Sequence, residues 1–103
     1  MLTEVLELSS RSIISPISDQ VSSELNDDIV ILNLSSGIYY GLNEVGARVW
    51  QLIQQPRCVG EIHSLLLDEY DVTPDACHQE LLNLLQELKK AGLIEVADDA
   101  AAV

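Results

Sequence analysis

The chain contains no phenylalanine, and its aromatic residues are three tyrosines and one tryptophan. Any apolar core must therefore be built mostly from leucine, isoleucine and valine. Positive charge is scarce as well: five Lys and Arg stand against 17 Asp and Glu, a formal charge of −12. The bases, Arg11, Arg48, Arg57, Lys89 and Lys90, are scattered. Such a surface cannot replace the counterions of a nucleic-acid duplex, and it is repelled by anionic membranes. A basic or apolar peptide is the natural partner. No run approaches the 18 apolar residues of a membrane span. The opening MLTEVLELSSRS lacks the basic and long apolar regions of a signal peptide. The cysteines, Cys58 and Cys77, form no CxxC pair, so reduced thiols in a cytoplasmic setting are expected.

Catalytic and metal-binding patterns are missing too. There is no G-x-S-x-G, no phosphate-cradling glycine loop and no H-E-x-x-H. Cys58, His63, Cys77 and His78 lack the paired spacing of a structural zinc site. Cys77 and His78 are adjacent and point in different directions on a helix. The expectation is no catalytic residue, no metal and no cofactor. Cys77 is expected as a small core residue, and His63 and His78 as solvated helix residues.

What is present is a chain that is 48% hydrophobic over 103 residues, enough for one domain with its own core. Ile13, Ile14, Ile17 and Val21 read as an irregular first strand broken by Pro16. Leu25–Asp28, LNDD, is a turn signal. IVILNL, Ile29 to Leu34, is the clearest strand: short, β-branched and bounded by turn residues. Val30, Leu32 and Leu34 share one face, and Ile29, Ile31 and Asn33 the other. Ser35-Ser36-Gly37 predicts a tight turn, with Gly37 free to take positive φ. Ile38 to Leu42 predicts a third strand, and the short loops predict an antiparallel meander. Neighbouring Tyr39 and Tyr40 must face opposite sides of it.

The period then changes. Asn43 is a helix cap, followed by the apolar stripe Val45, Val49, Trp50, Leu52 and Ile53. Pro56 ends that helix. A second begins near Cys58 and uses Val59, Ile62, Leu65, Leu66 and Tyr70. Cys58 stands three residues before Glu61, where a capping box wants Ser or Thr, so this helix is expected to start loosely. Thr73 caps a third helix, with Pro74 first and Asp75 at the positive dipole end. Its stripe is Cys77, Leu81, Leu84, Leu85 and Leu88; Lys89, Lys90 and Gly92 close it. LIEV suits a short final strand. The predicted class is α+β: a three-stranded antiparallel sheet followed by three helices, laid out like a winged helix-turn-helix.

The ordered segments ILNLSSGIYYGLNEVGARVWQLIQQP, VGEIHSLLLDEYDV and CHQELLNLLQELKKAGLIEV resemble the PqqD-like family, the recognition elements of ribosomally made, modified peptides. The resemblance runs from Asp27 to Val96. It is carried by G-x-Y-Y-x-L-N with Gly46 and Trp50, by the spaced leucines and Y-D-V of the second helix, and by the closing L-L-x-x-L-x-x-x-G-L-I. The variety it most resembles is the stand-alone leader-binding protein of lasso peptide pathways. Cys58 stands where the family often has Thr, and Glu80 where it often has Asp.

The resemblance implies a non-catalytic protein that binds a precursor's leader as an added strand between the third strand and the third helix. It implies delivery to a separate enzyme, a leader peptidase or a radical S-adenosylmethionine enzyme. The peptide-binding residues carried over are Gly37, Ile38, Tyr39, Tyr40, Gly41 and Leu42 on the strand, with Cys77, Glu80, Leu81 and Leu84 on the helix. The expected organisation is a segment 1–12, a recognition domain 13–96 and a tail 97–103. An unpaired edge also allows a homodimer. A chaperone for a radical S-adenosylmethionine enzyme is the alternative reading. A winged-helix DNA-binding regulator is a further one, opposed by Glu61, Asp68, Glu69, Glu80 and Glu87 on the helices.

Overall fold

The computed structural model describes residues 8–98. Six strands and three helices follow in the order β1 (Ser12–Pro16), β2 (Gln20–Leu25), β3 (Asp28–Asn33), β4 (Tyr39–Leu42), α1 (Glu44–Leu52), β5 (Arg57–Cys58), α2 (Val59–Glu69), α3 (Pro74–Lys90) and β6 (Ile94–Asp98). The α+β class, the meander and the three helices after it are as expected. The meander is β2-β3-β4, antiparallel throughout, with β4 at one edge.

The first strand departs from expectation. It is two strands in two sheets. β1 forms the centre of a second sheet, β5-β1-β6, while β2 joins the meander. Proline lacks an N–H and tolerates only a strand end or edge, and Pro16 is the last residue of β1. β2 is hard to read because its residues after Gln20 are all exposed, so it has no buried face to impose an alternating pattern. It is held by its ladder with β3 across Asn26, which takes φ 61°, a left-handed conformation that asparagine tolerates.

β6 pairs with β1 from Ser12↔Asp98 to Pro16↔Ile94, so it runs past the expected domain end at Val96. The remainder of the expected tail, 99–103, and residues 1–7 of the expected N-terminal segment lie outside the described residues.

β3 buries the face of Ile29, Ile31 and Asn33 and leaves Val30 and Leu32 half-covered. Helix stripes meet that face: Val49, Trp50 and Ile53 from α1, Ile62 and Leu66 from α2, and Leu81, Leu85 and Leu88 from α3. Each fully buried aliphatic side chain of this kind contributes roughly 1.5–3 kcal/mol of transfer free energy.

Helix ends follow the sequence closely. The Asn43 side chain accepts from Gly46 N at 3.0 Å, and the Thr73 hydroxyl from Ala76 N at 3.4 Å. α3 ends in a Schellman arrangement: Leu93 N donates to Leu88 O and Gly92 N to Lys89 O, each at 3.0 Å, with Gly92 at φ +73°. The start of α2 is firmer than the sequence suggests. Cys58 makes no side-chain cap bond, and Glu61 turns instead to Arg57 at 2.6 Å. The backbone does the fastening: Cys58 pairs with Ile13, and Gly60 N donates to Ser10 O at 2.9 Å.

Candidate functional site

The ladder bonds of β4 decide which of its groups face outward. Asn33 N donates to Ile38 O at 2.9 Å. In an antiparallel ladder bonded pairs recur at every second residue, so Ile31↔Tyr40 and Ile29↔Leu42 are the bonded pairs of this register. Tyr40 and Leu42 thus turn their N–H and C=O groups toward β3. Tyr39 and Gly41 turn theirs out from the sheet edge. Side chains alternate as well: Leu42 is buried and Tyr40 half-buried on the core face, while Tyr39 is 69% exposed on the other.

Between this edge and α3 lies a groove of about 370 Å³. Its β4 side is Tyr40, Gly41 and Leu42, and its α3 side is Cys77, Glu80, Leu81 and Leu84. These seven were named from the sequence, and the fold brings them together. Gly37, Ile38 and Tyr39, named with them, do not line the groove. Gly37 sits in the hairpin turn at φ +75°, and Ile38 and Tyr39 are exposed beside it. The turn carries Gly37 and Ile38 beyond the groove, while Tyr39, the first residue of β4, points its side chain to the other face of the sheet.

Sequence reasoning missed the rest of the lining: Asn43, Val45, Gly46 and Val49 from the start of α1, with Leu66, Tyr70 and Val72 from the end of α2 and its connection. Val45, Leu66 and Tyr70 were read as core stripe. The spacing was the right signal, but helical periodicity alone cannot separate a groove wall from a core. Val45 is 42% exposed and lines the groove.

The Tyr40 hydroxyl donates to Glu87 Oε1 at 2.5 Å, joining β4 to α3. That bond, with burial and the Glu87 charge, pushes the Tyr40 phenol up to about 12. Burial, with a smaller contribution from the Glu80 charge, pushes the Cys77 thiol up, so it stays protonated at neutral pH. Burial chiefly, then the Glu44 carboxylate, pushes Tyr70 up too. Glu80 makes no hydrogen bond or ion pair among the described residues.

The histidines were expected in solvent. They are half-buried at the α2–α3 contact instead, ring centroids 5.2 Å apart, with His63 Nε2 bonded to Pro74 O at 3.0 Å. Among the described residues no group of three or more His, Cys, Asp or Glu is placed to hold a metal. No helix among them is long and apolar enough to cross a membrane.

A comparison with curated proteins returns no match. Two solved structures are similar. The first is described as TbiB1 in complex with the TbiA(beta) leader peptide: 31% identity, TM-score 0.74, covering 79% of this chain and 94% of that one. The second is lasso peptide synthetase B1 complexed with the leader peptide: TM-score 0.71, covering 80% and 96%, with 21% identity, a likeness of fold alone. Residues 28–94 match the family model described as coenzyme PQQ synthesis protein D (PqqD). That span holds β3, β4 and all three helices, and with it the whole groove, so the chain belongs to the PqqD family, as its sequence resemblance implied.

Proposed function

We infer that this chain is a non-catalytic leader-binding protein of the lasso peptide type. It captures a ribosomal precursor by adding the leader as a strand to the outer edge of β4, and presents it to a separate processing enzyme, a leader peptidase. The observation that carries this reading is the edge itself. Tyr39 and Gly41 turn backbone donors and acceptors outward, and those of Gly41 open beside an apolar groove whose far wall is α3. An added strand satisfies those groups, and side-chain pockets along it supply specificity. The two similar structures are both complexes with leader peptides, which supports the same reading. The groove chemistry also favours holding over reacting: its one thiol is kept protonated by burial. A cytoplasmic location belongs to this reading, and so does a recognition domain near the expected limits 13–96 that also takes in Ser12 of β1 and β6 to Asp98.

The test is a titration of the purified chain with the leader portion of a ribosomal precursor, against its Leu84→Arg variant. Leu84 is half-buried on the groove wall. Loss of a central apolar anchor costs roughly 2 kcal/mol or more of binding, a drop of about thirtyfold or more. Equal binding by a folded Leu84→Arg protein contradicts the reading.

A further inference from the structure

Among the described residues, Glu80 is the only carboxylate in the groove lining. The other titratable groups there, Tyr40, Tyr70 and Cys77, are all pushed up and stay neutral, and the lining contains no Lys, Arg or His. Glu80 is exposed and has no cationic partner among the described residues. The neighbouring acid on the same stripe, Glu87, is already engaged by Tyr40. A peptide strand laid in this groove therefore meets apolar walls and one free carboxylate.

Spacing places that carboxylate in register with the anchor. Glu80 lies four residues before Leu84 on α3, about 6 Å along the axis at 1.5 Å per residue. Two residues of extended strand span about 6.6 Å and present side chains on one face. For a strand laid along α3, an apolar residue seated against Leu84 puts the side chain two positions away next to Glu80.

Resting on the leader-capture reading, we propose that the groove selects peptides carrying Lys or Arg two residues from a central apolar anchor, on the same face, paired with Glu80. A guanidinium or ammonium there makes a charge-assisted hydrogen bond at the edge of a partly dry groove. Asp or Glu at the same place meets like charge with no compensating base, on a protein already at −12. Glu80 is thereby a specificity residue, while the β4 edge and the apolar walls supply the sequence-tolerant part of binding.

The experiment is selection of a phage-displayed library of random 12-residue peptides on the immobilised full chain and on its Glu80→Lys variant, with Leu84→Arg protein to identify groove-dependent binders. The expected result is groove-dependent peptides with an apolar anchor and with Lys or Arg about fivefold or more above Asp and Glu two positions away. With Glu80→Lys that preference reverses to Asp and Glu. Groove-dependent peptides without a charge preference, or with the same preference on both proteins, overturn the Glu80 assignment and leave strand capture standing. Failure to recover any peptide whose binding is lost with Leu84→Arg overturns strand capture and this assignment together.

Discussion

Asn33 and Gly92, 59 residues apart, are joined by a side-chain bond: Asn33 Nδ2 donates to the Gly92 carbonyl at 3.1 Å. It also donates to the Ala91 carbonyl at 3.2 Å, while its oxygen accepts from Ser35 N at 2.9 Å and Ser36 N at 3.2 Å. One buried amide thus fixes the β3–β4 turn against the end of α3, and β4 and α3 carry two of the groove walls.

Asn33→Ala removes four part-buried hydrogen bonds, at a cost of about 1–3 kcal/mol. The expected outcome is a lower denaturant midpoint at unchanged slope. Asn33→Asp keeps the acceptor for the turn but sets a carboxylate against two carbonyl oxygens, so it also destabilises at neutral pH and recovers in acid. An unchanged midpoint for both variants contradicts the latch.

This latch shows how far the sequence could be read. Asn33 was placed on the face of Ile29 and Ile31, and that face is the buried one. Gly92 was read as the helix terminator, and it is. That one bonds the other was not legible, because no local pattern encodes a contact across such a separation. The same limit produced the error at β1 and β2. Ile13, Ile14 and Val21 form one apolar cluster in sequence, but the chain turns after Pro16 and divides them between two sheets. Caps, turns and helix stripes were legible because each rests on neighbours within four residues. The α1 and α2 part of the groove was not, since Val45 and Tyr70 carry the same spacing as core positions.

Tyr40 and Glu87 give a prediction with a pH signature. The bond keeps the phenol protonated in the folded state, up to about 12 against an ordinary value of 10.0. The folded value is the higher one, so the stabilisation is fully present below about pH 10 and is lost as pH rises toward 12. Tyrosine absorbance titration should therefore show late ionisation from Tyr40, with Tyr70 displaced upward as well. Glu87→Gln should move the Tyr40 part back toward 10.0, and Tyr40→Phe should remove that part and leave the Tyr70 part. A late end of the titration curve that is the same in Tyr40→Phe as in the parent protein contradicts the assignment.

Cys58→Thr should stabilise the fold by about 0.5–1 kcal/mol, because a hydroxyl at this cap position can accept from the Glu61 backbone N–H, which Cys58 does not. Only the forward half of a capping box is gained, since the Glu61 carboxylate is held by Arg57 at 2.6 Å. Thermal or urea denaturation checks it. A lower midpoint means the threonine disturbs the pairing of Cys58 with Ile13 more than it helps the cap.

The most direct test of strand capture is leader binding by Gly41→Pro measured against Gly41→Ala. Gly41 turns its N–H outward, and a side chain added there meets nothing within 4 Å. Alanine is the neutral control. Proline deletes the outward donor of Gly41 and leaves the β3 ladder intact, whereas Tyr40→Pro, at an inward position, should weaken the fold itself. The account predicts that Gly41→Pro folds like Gly41→Ala and binds the leader of a ribosomal precursor about tenfold or more weakly, since one bond is lost and the ring occupies the docking edge. A folded Gly41→Pro protein that binds the leader as well as Gly41→Ala contradicts docking on this edge.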